Sequence, residues 1–276
     1  MASTSLIMEL LNFLQYSFIQ KAFLAGSFIA IICSILGIFL VLRKMSLIGD
    51  GLSHVSFGAI ALGLFLGIYP FYIAVPVVMI ASVLILKISE KAKVYGDSAI
   101  GIVSAVGVAG GVILASVSSG FNIDLFSYLF GNILAISDTE VILSIILSLV
   151  VLIIVYFFYW DLFSATFDEE YAKTTGIKTN FINILITLLT AITVVLSVKM
   201  VGVMLVSALI ILPAVTALQI AKGFKLAIVI GIITSLISVL LGITSSFFFD
   251  LPTGATIVMI SVLLFTLAFI YKKIKN

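Results

Sequence analysis

The chain has 276 residues, of which 63% are hydrophobic and only 9% charged, against about 25% charged in a soluble domain. That balance excludes a soluble globular protein and specifies an all-α polytopic membrane protein. The net charge of +2 excludes little, whereas the lone cysteine, Cys33, excludes an intramolecular disulfide and reads as a small buried hydrophobe.

Residues 1–21 are interrupted by Glu9, Asn12, Gln15 and Gln20 and lack a basic leader, so no cleavable signal is expected. Leu6, Leu10, Phe13, Leu14 and Ile19 fall near helical spacing, which predicts an amphipathic segment lying on the membrane surface. Apolar blocks then recur at about 22–42, 51–69, 71–88, 97–117, 138–160, 181–198, 201–219, 226–247 and 254–271, each near the ~20 residues that span hydrocarbon. Nine spans are expected. Eight is an acceptable count, because the turns around Pro70 and Lys199 are very short. Residues 22–271 form one membrane domain, and 272–276 a tail.

Basic residues decide the orientation. Under this threading only Lys21 and Lys199 of the 14 lysines and arginines fall opposite to the rest. The positive-inside rule places the majority side, and with it the C-terminus, in the cytoplasm. The opposite side carries "IYPFY", "SSGFNIDLFSYLFGN" and "SSFFFDLPTG", rich in the aromatic residues of a bilayer interface.

The stretch "IGDGLSHVSFG" (48–58) holds the only histidine, His54, four residues after Asp50. On a helix the two share a face and could together coordinate a divalent cation. The bland alternative makes Asp50 the N-cap of a helix starting at Gly51, with His54 bonded to a carbonyl. A carboxylate inside a membrane helix costs roughly 2.5–3.5 kcal/mol, so a compensating cation or aqueous cavity is expected. Gly49, Gly51, Ser53, Ser56 and Gly58 add a density of small residues that lets backbones approach closely or lines a narrow path. Two ligands are too few for zinc. A two-fold homodimer would present Asp50 and His54 twice, an O2N2 set that suits zinc readily and manganese passably.

The longest polar stretch, "DLFSATFDEEYAKTTGIKTN" (161–180), predicts a surface helix of about nine residues. Thr166 and Glu169 have capping-box spacing, Asp168, Glu169 and Glu170 suit a first turn, and Gly176 suits a left-handed end. This segment reads either as an ordinary helical loop or as a coupling helix for an ATPase subunit. Lys199 reads as a turn marker or a snorkelling side chain, with an ion pair to Asp124 or Asp250 as the alternative. Pro213 should kink its span, and Gly107, Gly110 and Gly111 should serve close packing. The chain has no G-x-x-x-x-G-K-[ST] loop, no H-E-x-x-H and no G-x-S-x-G, which argues against an ATPase, a zinc protease or a serine hydrolase. It is not expected to be an enzyme.

Several stretches together are specific. "LRKMSLIGDGLSHVSFGAIALG" (42–63) closely resembles the signature of permease subunits of bacterial ABC importers for zinc, manganese and ferrous iron. "DLFSYLFGNILAIS" (124–137), "VKMVGVMLVSALIILPAVTALQIAK" (198–222), "DLPTGATIVMI" (250–260) and "DEEYAKTTGI" (168–177) resemble that family in the same order, over about residues 20–271. The resemblance implies a homodimeric permease in the bacterial cell membrane, joined by cytoplasmic ABC ATPase subunits and an extracytoplasmic metal-binding protein. It implies no permanently bound cofactor and no nucleic-acid partner. Asp50 and His54 match the family positions proposed to contact the metal in transit. The coupling loop maps onto Asp168, Glu169, Glu170, Tyr171, Ala172, Gly176 and Ile177, and Gly49, Gly51, Ser53, Gly58, Lys199 and Pro213 are its packing or gating candidates. "LFSYLFGNILAIS" looks more like the zinc members, which puts zinc first and manganese or iron next. Two other readings stay open: a gradient-driven secondary transporter with Asp50 as the titrating group, and an ABC permease for a metal chelate.

Overall fold

The computed structural model describes residues 15–92, 96–118 and 123–275. Among them every regular element is helical: α1 (Ser17–Leu42), α2 (Ile48–Phe65), α3 (Pro70–Ala92), α4 (Gly96–Val117), α5 (Ile123–Phe130), α6 (Asp138–Phe157), α7 (Tyr159–Phe167), α8 (Glu169–Thr174), α9 (Thr179–Val201), α10 (Val206–Ile220), α11 (Phe224–Phe249) and α12 (Thr253–Lys275), with a 3-10 turn at Ile133–Ala135.

Eight of these helices are long and apolar enough to cross a membrane. The ninth expected span is α10, which has only 15 residues, about 22 Å at 1.5 Å per residue. It begins at Val206 rather than 201 because Lys199 belongs to the last turn of α9, not to the turn between spans. The break falls at Gly202, whose φ of +83° suits glycine. The surface segment expected over 1–21 lies mostly outside the described residues. Its last part, from Ser17, is already the first span: Ile19 is fully buried there.

Burial sorts the helices. α1, α2 and α9 are largely enclosed, while α4 and α12 are mostly uncovered. α9 stands between two groups, touching α2 and α3 on one side and α1 on the other. α1 packs on α6, α10 and α11, and α2 packs on α3 and α4. Small residues set these distances: a Cβ on Gly37 would run into the Ile210 carbonyl, and one on Gly231 into Ser34 Oγ. Polar contacts also join the helices. Cys33 Sγ and Ser197 Oγ are 3.1 Å apart between α1 and α9, and Ser235 Oγ donates to the Ala30 carbonyl at 2.9 Å between α11 and α1.

Candidate functional site

α2 starts at Ile48, with Leu47 as its N-cap residue and Asp50 already in the first turn. Asp50 therefore does not cap a helix beginning at Gly51; its carboxylate is released from the backbone and projects sideways. His54 follows one turn later, with Nε2 3.8 Å from Asp50 Oδ2. Two ligands on one tetrahedral ion, each about 2.0–2.1 Å from it, would sit roughly 3.4 Å apart, so a small rotamer change brings the pair into range. Both side chains are partly open within one chain, 44% exposed for Asp50 and 32% for His54. Ser207 Oγ, near the start of α10, stands 3.5 Å from Asp50 Oδ1, at the outer limit of hydrogen bonding. Among the described residues no third His, Cys, Asp or Glu joins them.

The small residues around the pair do what the pattern predicts. A Cβ on Gly51 would collide with Ile100, one on Gly58 with the Gly107 carbonyl, and one on Gly107 would lie 2.6 Å from Val55 Cα. Gly111 would meet the Phe57 ring at 2.7 Å, and Gly49 would meet Ile210 at 3.3 Å. α2 is thus pressed between α4 and α10. Gly110 lies on another face, with open space in front of it among the described residues. Ser53 is fully buried and donates back to the Asp50 carbonyl at 2.8 Å, so it serves its own helix rather than a ligand. Pro213 is buried within α10, which continues through it.

The second component is the polar segment between α7 and α9. Asp168, not Thr166, is the N-cap: its Oδ1 accepts from the Tyr171 N–H at 2.9 Å. The Thr166 hydroxyl donates instead to the Leu162 carbonyl at 2.6 Å, within α7. The helix is consequently shorter than expected, six residues from Glu169 to Thr174. Its end follows the expected plan. Gly176 has φ +88°, its N–H bonds to Lys173, and the Ile177 N–H bonds to Ala172, which is a Schellman closure. Ala172 is buried, while Glu169, Glu170 and Tyr171 face outward. Glu169 pairs with Lys173 at 3.0 Å, and the hydrogen bond from Lys173 holds its carboxyl below the usual range.

A third component lies at the opposite end, where the acid that meets Lys199 is one the sequence reading does not name. Lys199 Nζ is 3.1 Å from Glu140 Oε1, and the two side chains are only 13% and 5% exposed. The partner is Glu140 rather than Asp250; the Asp124 side chain lies outside the described residues. Lys199 also sits 4.9 Å from the Tyr128 ring centroid. Glu140 completes a capping box with Ser137, whose N–H donates to Oε2 at 2.7 Å. The S-x-x-E spacing of "SDTE" just before an apolar run was the available signal. Nearby, burial and then the Glu140 carboxylate push the Tyr69 phenol up to about 12. Gly131 and Gly202 meet back to back, both with positive φ, and the Val203 N–H donates to the Tyr128 carbonyl at 3.0 Å.

The manganese transport system membrane protein MntC of Halalkalibacterium halodurans is 35% identical over 258 residues, covering 94% of this chain and 88% of that one. The high-affinity zinc uptake system membrane protein ZnuB of Haemophilus influenzae is 32% identical, covering 92% of this chain and 97% of that one. Among solved structures, PsaBC from Streptococcus pneumoniae in complex with Fab superposes with a TM-score of 0.87 at 31% identity, over 98% of this chain and 100% of that one. The family described as the ABC 3 transport family matches residues 15–272, and the chain belongs to it.

Proposed function

We propose that this chain is the membrane permease subunit of an ATP-driven importer of divalent metal ions, most readily zinc and next manganese, with Asp50 and His54 contacting the ion in transit. The observation that carries the reading is the pair itself. A carboxylate and an imidazole stand one turn apart, partly open, on a helix otherwise wedged among backbones. A cation held between the two groups, or water around them, offsets the cost of a carboxylate at this depth.

Two chains related by a two-fold axis would bring two carboxylates and two imidazoles together, a donor set that binds borderline metals. Such a site must release as well as bind, and a shared, incomplete half-site in each subunit suits weak, transient ligation. Relatives named for manganese and for zinc are about equally similar to this chain. Zinc is ranked first because "LFSYLFGNILAIS" looks more like the zinc members; an Asp and His set by itself suits both ions. The end bearing Arg43, Lys173, Lys222 and Lys272 is taken as cytoplasmic, with the C-terminus on that side. There Asp168–Ile177 presents Glu169, Glu170 and Tyr171 to an ABC ATPase subunit. The opposite end, with Tyr128, Glu140, Lys199 and Asp250, receives the ion from an extracytoplasmic binding protein.

The test is uptake of radioactive zinc in cells expressing the permease with its ATPase and binding protein, with and without a catalytically dead ATPase. The proposal predicts loss of uptake with the dead ATPase and persistence when a protonophore collapses the gradient at constant ATP. The reverse pattern would make the chain a gradient-driven transporter.

A further inference from the structure

The polar segment at the basic end and the metal pair belong to different parts of the bundle. α7 packs against α1 and α9, and α8 against α7 and α9, rather than against α2. A link between an ATPase docked on α8 and the ion pathway therefore runs either through α9, which touches α2, or through the end of α1 that leads into α2.

Arg43 occupies that position. It is the C-cap of α1, seven residues before Asp50. Its guanidinium makes three hydrogen bonds to two other elements. Nε donates to Thr166 Oγ1 at 3.1 Å, Nη2 to the Ala165 carbonyl at 3.1 Å, and Nη1 to Asn183 Oδ1 at 2.8 Å. Ala165 and Thr166 lie in the last turn of α7, which ends at Phe167 beside the Asp168 cap, and Asn183 lies in the first part of α9. Burial pushes the Arg43 pKa down, and the carboxylate of Glu169, the first residue of α8, works against that. The guanidinium is thus held from both sides of the polar segment.

On its other side Arg43 leads into a tight corner. Lys44 has a left-handed φ of +59°, the Met45 N–H bonds back to Leu40, and the Ile48 N–H bonds to Met45. The corner delivers the chain into α2 with no slack, so displacing Arg43 displaces the turn that carries Asp50. A cavity of about 330 Å³ between Arg43, Met45, Leu86 and Glu169 leaves room for that displacement.

We infer that Arg43 is a positioning residue that transmits movement of the Asp168–Ile177 segment to the start of α2 and so to Asp50 and His54. The inference rests on the reading of that segment as the ATPase-docking element. Arginine is required because three acceptors lie in different directions around one planar group, a geometry that a lysine ammonium on a flexible stem does not reproduce.

The experiment reconstitutes the permease with its ATPase subunits in proteoliposomes, adds zinc-loaded binding protein, and measures zinc ions moved per ATP hydrolysed. Arg43→Gln should keep ATPase association and hydrolysis while that ratio falls about tenfold, the scale of one charge-assisted hydrogen bond lost. Asn183→Asp, which keeps an acceptor for Nη1, should retain coupling. If Arg43→Gln fails to reach the membrane, Thr166→Val with Asn183→Ala removes two acceptors without burying a new charge, and the same ratio is read. An unchanged ratio would overturn the inference, as would a fall that only follows loss of ATPase association. Separately, ATPase association that survives Tyr171→Arg with Ala172→Arg would remove the docking reading beneath it, whatever Arg43→Gln does.

Discussion

Breaking the Lys199–Glu140 pair is a demanding test of the packing at the end opposite the basic loops. Lys199→Met keeps most of the apolar stem and removes only the ammonium. Glu140 is then left 5% exposed with a charge that has lost its partner at 3.1 Å, and truncating one member of a buried pair costs about 3–5 kcal/mol. Glu140 still accepts from the Ser137 N–H at 2.7 Å, which places the expected loss near 3 kcal/mol, the lower end of that range. Glu140→Gln in the Lys199→Met background removes the stranded charge while retaining an acceptor for the cap, and should restore most of the loss. Thermal unfolding of the purified protein in mild detergent reads both variants. A Lys199→Met protein as stable as the parent would refute the reasoning, because it would mean that Glu140 is hydrated and the pair is not buried.

Other outcomes follow from the same contacts. Gly107→Leu should prevent α4 from seating on α2, since even a Cβ would lie 2.6 Å from Val55 Cα; overpacking of this kind costs about 1–3 kcal/mol and should lower the yield of folded protein on size-exclusion chromatography. Gly202→Ala meets the Leu129 carbonyl and the Gly131 N–H at a φ of +83°, so its loss in a melting assay should exceed that of Gly223→Ala, where a Cβ meets open space among the described residues. The Glu169–Lys173 contact has a depressed carboxylate. Its contribution is complete above the ordinary carboxylate range and disappears as the pH falls through the lowered value. Limited proteolysis of the 168–177 segment should therefore be flat near neutrality and rise only below the ordinary carboxylate range, and Lys173→Ala should move that rise to higher pH.

Much of this architecture is visible in local sequence. Long apolar blocks define helices because a bilayer demands about 20 residues per crossing, and the glycines and serines of α2 announce close packing. The capping of α8 was misplaced because two acceptors with suitable spacing, Thr166 and Asp168, compete for the same helix start. The choice is settled by Arg43, 123 residues away, which engages Thr166 Oγ1. Lys199 reads from its own neighbourhood as a turn marker, a snorkelling side chain or the partner of Asp124 or Asp250, because a lysine in a membrane helix is costly when alone. Its partner Glu140 removes that cost from another helix, and no short window contains both. Asp50 and His54 were legible for the opposite reason: they are local, one turn apart, and chemically out of place.

The most direct measurement is uptake of radioactive zinc and manganese by the intact transporter, comparing the parent with Asp50→Ala and His54→Ala at equal membrane levels and with ATPase association confirmed. Uptake should fall at least about tenfold in each variant, no less than losing an outer-shell partner of a metal site costs, and the ion that is lost names the cargo. Undiminished uptake in both variants would contradict the transit site and leave Asp50 and His54 without a role in moving the ion.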